Sequence, residues 1–93
     1  MTTDNEICTV IIGQVMRAFE MMNDEVREIE NDTHDRNLAM AWVNDFLTQW
    51  QTALDIGNAL FDPLSSTSSI FGQVMKSISM NLDNVASRVS KWE

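Results

Sequence analysis

The sequence is poor in the residues that do chemistry. Its 93 positions hold one cysteine, one histidine and no tyrosine, with one proline, three glycines and six basic residues against fourteen acids. A single cysteine excludes a disulfide framework. A single histidine, with no Glu-x-x-His, excludes a di-metal carboxylate site and leaves no Ser/His/Asp set. The scarcity of Lys and Arg excludes a phosphate-neutralising surface, so nucleic acid is not an expected partner. No apolar run approaches the roughly 20 residues that cross a bilayer, so membrane insertion is not expected. The start, Met1 to Glu6, is acidic and unlike the basic opening of a signal peptide. The expected setting is cytoplasmic.

What the chain does have is apolar periodicity. Hydrophobic residues make up 44%, enough for a folded core. They recur every three or four positions: Ile7, Ile11, Val15, Met22, Val26, Ile29; then Ala39, Val43, Phe46, Trp50; then Phe71, Ile78, Leu82, Val85, Val89, Trp92. That period is helical. Two breaks interrupt it. At Glu30–Thr33, Asp32 or Thr33 is the expected cap of the next helix. At Asp62–Ser68, Pro63 forces Asp62 out of helical geometry and the Ser/Thr run offers N-caps. The reading is all-α and one domain over 1–93. Three long antiparallel helices, roughly 4–30, 33–61 and 67–92, form an up-down-up bundle with coiled-coil-like packing, completed by oligomerisation.

An internal repeat links the outer helices. Ile11-Ile12-Gly13-Gln14-Val15-Met16-Arg17 resembles Ile70-Phe71-Gly72-Gln73-Val74-Met75-Lys76 without gaps, and Met21/Met80, Asp24/Asp83 and Val26/Val85 match at the same offset. Duplication and convergence of two amphipathic helices both account for it, and either predicts similar packing for the two helices. Gly13, Gly57 and Gly72 all fall near one end of such a bundle. There the missing side chains make room for close backbones or for Phe61 and Phe71.

The third helix has one apolar stripe, but the first does not. Between Val10 and Met22 apolar residues cover roughly 240° of the wheel, more than one core contact uses. The second helix is intermediate. The surplus predicts an interface on the first helix and part of the second, lined by Ile11, Ile12, Met16, Phe19, Met22, Met40 and Leu47. Methionine, seven in all, suits such adaptable surfaces. Cys8 reads as a small buried hydrophobe.

Charge is uneven. Residues 4–32 carry −6, residues 33–62 carry −3 and residues 63–93 carry +1. Glu20, Asp24, Glu28, Asp32 and Asp35 head an acidic patch at one end, which Lys76, Arg88 and Lys91 of the third helix answer in part. Asn31–Asp35, which contains His34, lacks the alternating acids, central Gly and closing Glu of a calcium loop. Asn31-Asp32-Thr33 is a glycosylation sequon by chance. No metal, cofactor or catalytic set emerges, and no enzyme is expected.

The leading expectation is a non-enzymatic, acidic helical interaction module of the chaperone, adaptor or assembly-subunit type. It self-associates, a dimer being favoured, or holds a partner's helix against the broad apolar face. The alternative is an acidic inhibitor that masks the basic surface of a nucleic-acid-binding or regulatory protein. A filament or shell subunit is the third class considered.

Overall fold

The computed structural model describes residues 3–92. Three helices follow one another: α1 (Asp4–Asp32), α2 (Arg36–Leu60) and α3 (Ser66–Ser90). They pack up-down-up into a slender body of 49 × 21 × 15 Å. The contacts of α2 with each outer helix are more extensive than those between α1 and α3. Among the described residues, no helix is long and apolar enough to cross a membrane.

Local chemistry sets each boundary. Thr3 is extended and its hydroxyl accepts from the Glu6 amide, opening α1. At the other end of α1 the amides of Thr33 and His34 both return to the Ile29 carbonyl. His34 then steps into the left-handed region at φ 52°, which reverses the chain. The cap of α2 is therefore neither Asp32, which ends α1, nor Thr33, which follows it. It is Asp35, whose extended backbone lets its carboxylate accept from the Leu38 amide at 3.1 Å. Around Pro63, the Asp62 carboxylate accepts from the Leu64 amide and the Asp62 carbonyl from Ser65. Ser65 then caps α3 by accepting from the Ser68 amide.

α3 stops at Ser90, short of the expected end at 92, because Trp92 folds back. Its indole stacks on His34, ring centroids 4.7 Å apart. Arg36, at the start of α2, donates to the carbonyls of Ser90 and Trp92. A cation thus meets the negative end of the α3 dipole.

One continuous core runs the length of the bundle, from Cys8 near one end to Trp92 at the other. Phe46 and Phe71 are its largest fully buried side chains, each contributing about 2–3 kcal/mol by area. Phe19 meets Phe46 edge-on, and Phe61 meets Phe71 edge-on. Trp50 on α2 is half-buried, and its indole N–H donates to the Met75 carbonyl of α3 at 2.9 Å. At the far end the Thr67 hydroxyl donates to the Asn5 side-chain oxygen, joining the N-terminal turns of α1 and α3.

The repeat does not give α1 and α3 the same setting. Met75 is fully buried, whereas its counterpart Met16 is 48% exposed. Val15 is buried while Val74 is only half-buried. The centres of the two buried stripes differ by roughly 60° about the helix axis. One heptapeptide thus serves two rotational settings, because α1 turns its buried stripe further toward α2.

The glycine expectation holds at one position. A Cβ on Gly57 would overlap the Phe71 ring, whereas one on Gly72 would meet nothing within 4 Å and one on Gly13 only the Arg17 side chain. Gly57→Ala should lower stability by about 2 kcal/mol in urea or thermal unfolding, overpacking outweighing the ~1 kcal/mol gained in helix propensity. Phe71→Leu in the same chain should recover part of that loss. Gly72→Ala should instead raise stability by roughly 0.5–1 kcal/mol. Equal effects at the two glycines would mean that Phe71 does not pack against Gly57.

Candidate functional site

Two stripes at three- and four-residue spacing face one another across the outside of the α1–α2 pair. On α1 they are Ile11, Gln14, Ala18 and Met21, and on α2 Trp42, Asp45, Gln49, Thr52 and Ile56. The helices are antiparallel, so Ile11 lies opposite Ile56 and Met21 opposite Trp42. Near the middle the facing residues include the small Ala18 and Ala53. Their short side chains leave a groove of about 280 Å³, lined also by Val15 and Thr48. A further hollow of about 80 Å³ continues it past Met21, Met22, Trp42 and Phe46, sharing Ala18 and Gln49. Together they form one trough along the bundle.

The polar side chains of its α2 wall are already engaged. Thr52 donates to the Thr48 carbonyl, Thr48 to the Asn44 carbonyl, and the Gln49 amide to the Asp45 carboxylate. These bonds run within α2 and leave little for an incoming polar group. Asp45 is the only charged residue lining the trough. The reactive groups of the trough are the Thr48 and Thr52 hydroxyls, both donated to backbone carbonyls, and the exposed Asp45 carboxylate. What it offers is apolar area and shape.

The residues expected at an interface are not brought together. Ile11 lines the trough. Ile12 lies across α1 in a separate groove of about 270 Å³, with Cys8, Thr67 and Ile70, and exposed Met16 lies further round toward that side. Phe19 is half-buried against Phe46. Met22 is 2% exposed and belongs to the core, because of the adjacent pair Met21-Met22 only Met22 points along the buried stripe. Met40 and Leu47 lie on the flank of α2 that Trp50 uses to reach α3, roughly 160–180° around the helix from Gln49. Nor is the apolar surplus confined to α1 and α2: Ile70 and Met80 of α3 are exposed beside Val10, Met21 and Ile56.

Gln14, Ala18, Gln49, Thr52, Ala53 and Ile56 were not among the residues expected at the interface. A wheel scores small and neutral polar residues as indifferent. A groove between antiparallel helices is instead marked by such residues at its floor with larger ones at its rims.

The five acidic-patch residues Glu20, Asp24, Glu28, Asp32 and Asp35 are all exposed. Four of them follow i, i+4 steps and so wind across α1 by roughly 120°. Asp35 is also committed to capping α2. Among the described residues one ion pair forms, Arg88 to Glu30 at 3.9 Å with both side chains over a third exposed, and such pairs contribute little. Lys76 and Lys91 form none. The last turn of α1 contains no basic residue, so its acids other than Glu30 sit at the negative end of the helix dipole with no ion pair among the described residues.

Among the described residues, no group of three or more His, Cys, Asp or Glu is placed to hold a metal ion. Cys8 is buried, and desolvation pushes its thiol above the ordinary value. Comparison with family models, curated proteins and solved structures returns no match.

Burial and a raised pKa both slow thiolate chemistry. At pH 8 a maleimide should therefore modify native Cys8 at least about tenfold more slowly than the urea-unfolded chain. Equal rates would show that the N-terminal turn of α1 opens readily.

Proposed function

We propose that this chain is a non-enzymatic interaction module of the adaptor, chaperone or assembly-subunit type, and that the α1–α2 trough is its working surface. One observation carries the reading: an apolar groove of about 280 Å³ whose rim includes half-exposed Ile56, continued by a hollow at Met21, so that one trough follows the α1–α2 seam. Among the described residues no buried side-chain nitrogen or oxygen lacks a partner. Burying the groove's apolar rims against another helix stabilises a complex by roughly 25 cal/mol per Å² before association entropy is set against it.

The acidic-inhibitor reading draws on the unpaired carboxylates of residues 20–35. They wind across α1 rather than forming one flat face, and this places it second.

The test is a double substitution at exposed trough positions, Met21→Glu with Ile56→Glu. Both side chains are substantially exposed, at 65% and 46%, so helix content and unfolding midpoint should stay within about 1 kcal/mol of wild type. Absolute mass by light scattering, from low to high micromolar protein, and pull-down of partners should both change. Met80→Glu on α3 should change neither. A double variant that keeps the mass and the partners of the unmodified chain would overturn the reading.

A further inference from the structure

The trough is not chemically uniform along its length. Its α1 wall follows a 3–4 spacing through Ile11, Gln14, Ala18 and Met21. The same spacing, carried on down the helix, reaches Glu25, Glu28 and Asp32, within roughly 60° of one another on the wheel. The α2 wall runs back through Ile56, Gln49, Asp45 and Trp42 toward Leu38 and the cap Asp35. Within the trough the one carboxylate is that of Asp45, but beyond its Trp42 end the same two faces continue into the carboxylates of Glu25, Glu28 and Asp32 on α1 and of Asp35 at the cap of α2.

Those carboxylates are arranged against their own interest. The last turn of α1 has no basic residue, so its acids add to the negative pole of the helix. The one ion pair in this region takes Glu30, on the far side of α1, to Arg88. Arg36 points away, to the carbonyls that end α3. The carbonyls that end α3 thus receive Arg36 from within the fold, whereas at the end of α1 Arg88 reaches Glu30 alone.

We propose that the trough receives an amphipathic helix of a partner protein. Its apolar stripe lies along Ile11, Ala18, Met21, Ala53 and Ile56, and its lysines or arginines rest on the acidic end formed by Glu25, Glu28, Asp32 and Asp35. The proposal rests on the trough being the working surface and adds the chemistry of the occupant. Charge complementarity favours this partner over a second copy, because α1 and α2 of a copy are acidic and α3 carries only Lys76 and Arg88 against Asp83, twelve residues apart rather than clustered at one end. A helix of about 18 residues spans some 27 Å, which fits a body 49 Å long.

Three synthetic 18-residue helical peptides test it against the full chain. The first has a leucine stripe at i, i+3, i+4, i+7 with lysines clustered at one end. The second replaces the lysines with glutamates. The third keeps the lysines and replaces the leucines with glutamines. Amide chemical-shift mapping locates binding, and titration calorimetry measures it. The expected result is saturable one-to-one binding of the first peptide with shifts centred on Ala18, Gln49 and Ala53. The other two should bind at least about tenfold more weakly. Glu28→Gln with Asp32→Asn should weaken the first peptide roughly three- to tenfold, two exposed charge contacts being lost, and should flatten its salt dependence. Glu6→Gln with Asp83→Asn changes net charge equally away from the acidic end and should stay within twofold.

If the glutamate peptide fills the trough as tightly as the lysine peptide, the cationic occupant is wrong and the trough remains the working surface. Equal loss in the two charge-neutralised variants overturns the proposal in the same way. A dimer by light scattering whose contact covers Ala18 and Ala53 makes a second copy the occupant. If no peptide shifts the trough amides and the chain stays monomeric, the proposal and the underlying reading fall together.

Discussion

The placing of the Phe71 ring against bare backbone at Gly57 governs the α2–α3 pair. With no Cβ in the way, α3 seats its largest side chain directly on α2, and Phe61, just past the end of α2, closes over it edge-on. Two helical turns earlier on α2, Trp50 reaches the Met75 carbonyl. Close approach at one point and a directional bond at the next fix distance and rotation together. α2 thereby becomes the plate on which both outer helices lie.

The opposite end is closed by other means. His34 takes a left-handed turn, Trp92 stacks on it, and Arg36 binds the carbonyls that terminate α3. Three chain segments meet there through one ring stack and two hydrogen bonds. On its remaining flank α2 faces α1 across Ala18 and Ala53, and there the packing stops short of filling the space. The trough is what remains when the facing side chains are too small to fill the gap between two well-held helices.

Much of the fold could be read from spacing alone, since a 3–4 apolar period with breaks at Asn31–Thr33 and Pro63 allows little but three helices. The caps were less legible, because Asp32, Thr33 and Asp35 are all competent and only the reversal at His34 decides among them. The functional surface was least legible. Counting how far apolar residues spread around one helix does not reveal its rotation in the bundle. Met22 and Met21 look alike in sequence and differ by a full helix face in the fold. Ala18 and Ala53 matter for the volume they leave empty, which no hydrophobicity count registers.

The shared heptapeptide of α1 and α3 has a consequence for how the chain reaches its native state. Both helices run the same way and both dock on α2. A nascent chain therefore holds two nearly interchangeable segments competing for one template, and a misdocked form would satisfy much of the same apolar pattern. Discrimination falls to features that the two segments do not share: Phe71 in place of Ile12, the space over bare backbone at Gly57 that the larger ring fills, and the Arg36 clamp on the end of α3. The glycine acts as a proofreading position, rejecting the wrong segment by leaving a hole that isoleucine cannot fill as well as phenylalanine does.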